Sequence, residues 1–304
     1  MQDSMTRLET FSNLGYKRDP FFGAQYRTGD MVRTERILTM AVESRAMVGI
    51  VGERGIGKSE AVKAALKKMA VRIVPVERLD KEGLTIGDIR AAMILDLSAE
   101  NMKRGGETSS RQLRRIVGEA ANKTPKQPIV VMIEEAQRIK PNTLRSLKSL
   151  REMEWLGERE LFTIVLVAQS NPMNRPGVSE VGLRSDIVRM QGLSADEAAG
   201  YVAVTIGKHF EEPALSALSD LPAARNYLEL QALCVQLLNI ALADGRDQVN
   251  VQDVKQIAGA AQAEHLPKPT RKQAAAPVAP GAALKSVIER RTGTEPDGKA
   301  VIHA

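Results

Sequence analysis

The sequence predicts an α/β fold in which a central parallel sheet is followed by a small all-helical domain. Strand-like and helix-like runs alternate across residues 31–192, which is typical of parallel strands joined by crossover helices. The run Ile129–Ile133 is wholly apolar, as expected of a central strand that is buried on both faces. From residue 193 onward only helical runs precede the tail, so we expect a second, helical domain there.

The individual elements can be assigned in chain order. We predict core strands at 47–51, 71–76, 129–133 and 162–167, and core helices at 59–69, 84–102, 110–121 and 141–155. Ser194 and Glu197 form a capping box that opens a helix to about residue 206, and helices at 212–219, 224–243 and 251–262 follow. The predicted organisation is an N-terminal segment (1–30), a core (31–192), a helical lid (193–264) and a disordered, basic Pro/Ala-rich tail (265–304).

The composition narrows the class of protein. Of 304 residues, 43% are hydrophobic and 26% charged, and no apolar run approaches the roughly 18 residues that cross a bilayer. The first residues lack the apolar stretch of a secretory signal, and the single Cys234 excludes an internal disulfide and a cysteine-based zinc site. We therefore expect a cytoplasmic protein without a membrane partner.

The charge points to a polyanionic partner. The net charge is +6, and clustered Lys and Arg side chains bind phosphate backbones by releasing counterions. Aromatic residues make up only 3% of the chain, which argues against stacking on single-stranded bases. A nucleic-acid partner would therefore be a duplex whose phosphate backbone the protein binds.

A glycine-rich loop between a predicted strand and a predicted helix carries the most specific motif. The pattern Gly, four residues, Gly-Lys-Ser is that of a P-loop, whose backbone N–H groups cradle phosphates. Lys58 would reach the β- and γ-phosphates of ATP, and the Ser59 hydroxyl would bind Mg²⁺. The predicted nucleotide-binding residues are Gly52, Glu53, Arg54, Gly55, Ile56, Gly57, Lys58, Ser59 and Glu60.

A pair of acidic residues follows the central strand, as in a Walker B motif. Glu134 would lie near the metal, and Glu135 would orient the attacking water, so we predict an ATPase that requires ATP and Mg²⁺. The first position is more often Asp, and the longer Glu134 is compatible with slow hydrolysis. A polar residue at the end of the next strand would sense the γ-phosphate; Gln169 fits best by register, and Asn171 is a second candidate.

This ordered set of motifs resembles the AAA+ ATPases that serve transposition, above all the B protein of phage Mu, and more distantly the ExeA-like secretion ATPases. The finer resemblance lies in the basic run at 110–116 and in the run at 221–230, and Asp19-Pro20-Phe21 is similar to the entry segment of the ExeA-like group. The fold implied is a P-loop AAA+ core with a helical lid. The function implied is an ATP-dependent, non-specific duplex-DNA-binding ATPase that selects target DNA and activates a transposase.

The resemblance also implies roles for three arginines. Arg225 would contact the nucleotide phosphates from the lid, as a sensor 2 arginine. Arg184 or Arg189 would act as an arginine finger toward the site of the next subunit, so that the protein assembles into a filament or ring with ATP. Related sequences place an Arg directly before the Ile, where this chain has Asp186, and the choice of finger therefore stays open.

A basic helix before the Walker B strand is the predicted DNA-binding surface. Arg111, Arg114 and Arg115 lie on one helical face, which can straddle successive phosphates without reading bases. The stretch 103–115 contains only Glu107 as a counter-charge. The predicted DNA-binding residues are Lys103, Arg104, Arg111, Arg114 and Arg115.

Other functions compete with this interpretation. An ExeA-like ATPase that assists secretion would carry a transmembrane helix and a periplasmic domain beyond the ATPase core, and neither is visible in this sequence. A general signalling or helicase-loading ATPase is a further alternative against which no residue argues decisively.

Overall fold

The computed structural model describes residues 5–24, 26–77, 83–178, 182 and 185–264. Described residues up to Ala263 belong to one compact unit. The predicted disordered tail at 265–304 and the candidate finger Arg184 lie outside the described residues.

Among the described residues, five strands form a parallel sheet in the order β2-β3-β4-β1-β5. Four strands were predicted to within one residue of their ends, but the edge strand β5 was missed. Three of its five residues, Ser185, Asp186 and Arg189, are polar, and only Val188 is buried, so no apolar run indicates a strand. The strands are β1 (Met47–Val51), β2 (Arg72–Val76), β3 (Ile129–Ile133), β4 (Thr163–Ala168) and β5 (Ser185–Arg189).

The α-helices precede, connect and follow these strands. The described helices are α1 (Arg7–Asn13), α2 (Gly29–Glu43), α3 (Lys58–Lys68), α4 (Ile86–Ser98), α5 (Gly106–Ala121), α6 (Pro141–Arg151), α7 (Ala195–Ile206), α8 (Glu212–Ser219), α9 (Tyr227–Ala243) and α10 (Val251–Glu264). The α/β fold class with a helical C-terminal region is thereby confirmed. Helices α1 and α2 were not predicted, although Thr6 and Thr28 supply their N-caps.

Several helix boundaries differ from the prediction for local reasons. Helix α4 ends at Ser98 because Ala99 takes a left-handed conformation at φ +58°. Helix α5 begins four residues earlier than predicted, at Gly106, behind Gly105 at φ +91°. Helix α6 stops at Arg151 rather than at residue 155. The predicted helix start at residue 224 is wrong because Pro222–Arg225 forms a 3₁₀ turn before α9.

The sheet is buried on both faces, which produces a three-layer core. Along β3, Val131 and Ile133 pack into a cluster with α4, α5 and α6, whereas Val130 and Met132 pack into a cluster with α2 and α3. This alternation with a period of two is what places helices on both sides of a parallel strand. The P-loop and the residues after β3 and β4 therefore share the carboxyl edge of one rigid sheet.

The helical region has its own core, and the N-terminal segment is part of it. Phe11 and Phe21 are buried among the apolar residues of α7 and α9. Arg7 fixes this segment by donating to Asp19 at 2.6 Å and to Gln231 of α9 at 2.9 Å. Within the described ranges, no helix combines the length and apolar character that a bilayer span needs.

Candidate functional site

The predicted P-loop joins the end of β1 to the start of α3. Gly55 and Gly57 take left-handed conformations at φ +89° and +81°, which glycine adopts at little cost. Space is also restricted: a Cβ at Gly55 would lie 2.2 Å from Asn226 Oδ1. Gly57 is the N-cap of α3, so the positive end of that helix faces the loop, as a phosphate-binding site requires.

Lys58 lies half-buried at the start of α3. Its Nζ donates to the carbonyl oxygen of Glu53 at 2.6 Å, within the loop itself. Burial lowers the pKa of Lys58, and the negative charge of Glu135 opposes that shift. Lys58 and Glu135 therefore interact electrostatically where the P-loop and the end of β3 meet.

Glu134 connects the end of β3 to helix α3 through both of its carboxylate oxygens. The Ser59 hydroxyl donates to Oε2 at 3.0 Å, and Lys63 Nζ lies 2.7 Å from Oε1. The hydrogen bond to Glu134 raises the pKa of Lys63, and the nearby carboxylates of Glu77 and Glu60 add to this effect against partial burial. Sequence reasoning missed Lys63, since its distance from the Walker B strand becomes short only when α3 packs on the sheet.

The donor set formed by Ser59 and Glu134 fits Mg²⁺. A hydroxyl and a carboxylate are hard oxygen ligands, and Mg²⁺ is commonly held by one or two carboxylates together with substrate phosphates and water. In the described part of the chain, no cluster of three or more His, Cys, Asp or Glu residues could hold a metal by itself. A metal at this position would therefore depend on the nucleotide for further ligands.

The carboxylate of Glu135 lies among polar side chains from two strand ends. Gln137 Nε2 donates to its Oε2 at 2.7 Å, Gln169 Nε2 lies 3.5 Å from the same oxygen, and Arg138 Nε lies at 3.7 Å. The Gln137 side chain also accepts the backbone N–H of Gln169 at 3.0 Å. The structure thus brings Glu135 and Gln169 together, with Gln137, which was not predicted, as the bridge.

Asn171, the second candidate sensor, has a different set of contacts. Its Oδ1 accepts the N–H of Met173 at 2.9 Å, and its Nδ2 donates to Asn174 at 3.1 Å. These bonds form the cap of the 3₁₀ turn Pro172–Asn174. Of the two candidates, the geometry favours Gln169.

The P-loop is also held by residues of the helical region. Asn226 Nδ2 donates to the carbonyl oxygen of Arg54 at 2.6 Å, and the N–H of Tyr227 donates to the carbonyl oxygen of Gly55 at 3.1 Å. Burial raises the pKa of Tyr227 to about 12. The sequence resemblance predicts that Arg225 contacts the nucleotide. In the structure, the next two residues, Asn226 and Tyr227, contact the P-loop.

The predicted sensor Arg225 and finger Arg189 occupy the edges of this site. The Arg225 carbonyl oxygen accepts the N–H of Leu193 at 2.8 Å, and its exposed side chain lines a cavity of about 800 Å³ together with Asp30, Arg33 and Asp220. Arg189 ends β5 beside Val51 of β1, where its side chain is exposed. Arg189 is exposed at the carboxyl edge of the sheet, and Arg225 is exposed where that edge borders the helical region.

The predicted DNA-binding residues differ in whether they form ion pairs with acidic side chains. Arg115 binds Glu100 at 2.7 Å and Glu119 at 3.0 Å, and Arg111 pairs with Glu107. Glu107 is the only acidic residue within 103–115, but the structure adds counter-charges from outside that stretch, Glu100 and Glu119. Among described residues, no acidic group forms an ion pair with the exposed members Lys103, Arg104 and Arg114.

Known proteins share this fold. Residues 42–173 match the family profile described as AAA domain. Cdc6p from Pyrobaculum aerophilum has a TM-score of 0.58 at 13% identity, over 80% of this chain and 72% of that chain. The ORC2 protein of Aeropyrum pernix, in ADPNP and ADP complexes, has a TM-score of 0.57 at 17% identity, over 83% and 73%. Drosophila ORC bound to DNA has a TM-score of 0.56 at 12% identity, over 84% and 66%.

No curated protein sequence matches this chain. At identities of 12–17%, the structural likeness establishes the fold alone. The predicted P-loop AAA+ fold is confirmed.

Proposed function

We propose that this chain is an ATP-hydrolysing, non-specific duplex-DNA-binding protein that selects target DNA and activates a transposase. The observation that carries the ATPase part is the convergence of the P-loop, Glu134, Glu135 and Gln169 at the carboxyl ends of three adjacent strands, β3, β4 and β1. Side chains from separate parts of the sequence meet there within hydrogen-bonding distance. Such an arrangement can bind a triphosphate and orient a water molecule beside it.

Each residue in this proposal has a distinct task. The P-loop amides and Lys58 bind the phosphates, and Arg225 reaches them from the lid. Ser59 and Glu134 would hold Mg²⁺, which would neutralise charge on the phosphates. Glu135 accepts a hydrogen bond from the attacking water, while Gln169 and Gln137 fix the orientation of the Glu135 carboxylate.

The DNA-binding part rests on exposed basic residues that precede α5 or lie within it. Lys103, Arg104 and Arg114 are exposed and carry charge that no described acidic residue neutralises by ion pairing. Contacts between such side chains and phosphates give affinity without base readout. The structure of Drosophila ORC, which has the same fold, is bound to DNA, and this agrees with a DNA partner for the present chain.

The transposition part rests on the resemblance of the runs at 110–116 and 221–230 to the transposition ATPases. In this proposal the protein works in the cytoplasm, where ATP and DNA promote assembly into a filament or ring. Arg184 or Arg189 of one subunit then stabilises the γ-phosphate on the next. Head-to-tail contacts of this kind continue as an open helix when the rotation does not close.

Electron microscopy with a non-hydrolysable ATP analogue and duplex DNA tests the assembly. We expect filaments or rings with both ligands, and monomers or small oligomers without nucleotide. Arg184→Ala and Arg189→Ala are compared in parallel, with Arg159→Ala as an exposed control away from the carboxyl edge. In a parallel assay with ATP and duplex DNA, the variant that loses assembly-stimulated phosphate release identifies the finger. A wild-type protein that stays monomeric with both ligands contradicts the trans finger and removes the main support for the transposition function.

A further inference from the structure

The ion pair between Lys63 and Glu134 includes a residue, Lys63, that belongs to neither the P-loop nor the Walker B motif. Lys63 lies on α3, five residues after Lys58, and its Nζ is 2.7 Å from Oε1 of Glu134. The Glu134 side chain is only 20% exposed, whereas that of Lys63 is 51% exposed. The carboxylate is therefore held inside the site, and the lysine reaches it from the surface.

The two oxygens of Glu134 are thus shared between two different donors. Ser59, the other candidate Mg²⁺ ligand, donates its hydroxyl to Oε2 at 3.0 Å, and Lys63 approaches Oε1. A lysine ammonium is a compact positive charge, and it neutralises the carboxylate that would otherwise attract Mg²⁺. A Mg²⁺ bound by Glu134 would therefore share this carboxylate with Lys63.

We propose that Lys63 is a built-in counter-cation for Glu134, which lowers the dependence of nucleotide binding on Mg²⁺. This inference rests on the proposed ATP-binding function of the same site. Without Mg²⁺, the lysine removes the repulsion between Glu134 and the nucleotide phosphates. With Mg²⁺, it competes for the carboxylate and weakens the attraction for the metal. Lys63 acts through Glu134 and is therefore a positioning residue.

The quantity to measure is the ratio of nucleotide affinity with Mg²⁺ to nucleotide affinity in EDTA. Equilibrium titration of the full chain with a fluorescent ATP analogue gives both affinities without requiring hydrolysis. We expect Lys63→Met to raise this ratio by about fivefold, which is the upper range for a partly exposed ion pair. Lys63→Arg, which keeps the charge, should retain a ratio near that of the wild type and guards against a folding defect in the first variant.

Two further variants make the test specific. Lys67→Met removes an exposed lysine from the same helix and should leave the ratio unchanged. In a Glu134→Gln background, Lys63→Met should have no further effect, because the partner charge is already absent.

A ratio for Lys63→Met equal to that of the wild type overturns this inference while the proposed function stands. An effect of the same size in the Glu134→Gln background also overturns it. A wild-type protein that binds no ATP analogue in either buffer contradicts the proposed function itself.

Discussion

Asn226, which caps helix α9, donates a hydrogen bond from its Nδ2 to the carbonyl oxygen of Arg54 in the P-loop at 2.6 Å. The same side chain accepts the N–H of Leu228 at 3.0 Å through its Oδ1. One buried amide therefore joins the start of a lid helix to the nucleotide-binding loop.

Replacing Asn226 by Ala should destabilise the fold and weaken nucleotide binding. Loss of the cap costs about 1 kcal/mol, and the unpaired Arg54 carbonyl adds about 1 kcal/mol. We expect nucleotide affinity to fall roughly fivefold because the P-loop loses its tie to the lid. Chemical denaturation and titration with a fluorescent ATP analogue measure the two effects.

Asn250→Ala provides the matched control, because Asn250 caps α10 by accepting the N–H groups of Gln252 and Asp253 at 2.9 and 3.1 Å. It should lose about 1 kcal/mol of stability and keep the wild-type nucleotide affinity. Equal affinities for the two variants would show that the Asn226–Arg54 bond has no role in nucleotide binding.

Replacing Glu135 by Gln should trap the ATP-bound form. The amide keeps the size of the side chain but cannot act as a base toward water, so we expect phosphate release to fall by roughly 10²-fold or more. Nucleotide affinity should be retained, since the P-loop is unchanged. Glu154→Gln, an exposed substitution at an ion pair with Arg159, is the control and should hydrolyse ATP at the wild-type rate. Unchanged hydrolysis in the Glu135 variant would remove this residue from the reaction.

Replacing Arg114 by Ala should reduce the salt dependence of DNA binding. One lost phosphate contact makes the slope of log affinity against log salt less negative by about 0.9. Arg115→Ala should change the slope less, because Arg115 is already paired with Glu100 and Glu119. Fluorescence anisotropy with a labelled duplex at several salt concentrations measures both slopes, with Arg159→Ala as the control. A wild-type slope for Arg114→Ala would move the DNA-binding surface elsewhere.

Much of the fold could be predicted because local patterns and tertiary structure agree. A few neighbouring residues are enough to predict the strand β3 from its apolar run, the P-loop from its glycines and a helix start from the capping box at Ser194. The edge strand β5 could not be predicted in this way, since a strand with one neighbour does not need an apolar run. Its strand conformation comes from pairing with β1, which lies far away in the sequence.

The candidate site could be predicted only in part, for a related reason. Lys58, Ser59, Glu134 and Glu135 belong to motifs with fixed spacing. The partners Lys63, Gln137 and Asn226 become visible only when separate elements pack together. The ion pair between Arg115 and Glu100 could not be predicted either, because Glu100 lies 15 residues earlier in the chain, just beyond the end of α4.

Whether ATP controls DNA binding is tested by measuring duplex-DNA binding by the purified chain with ATP, with ADP and without nucleotide. We expect tight binding only with ATP, and loss of that binding in Lys58→Ala, which removes the lysine expected to contact the β- and γ-phosphates. Lys67→Ala, an exposed lysine of the same helix, should behave as wild type. Equal DNA affinity of the wild-type protein with and without ATP, or full ATP-dependent binding by Lys58→Ala, would contradict the account.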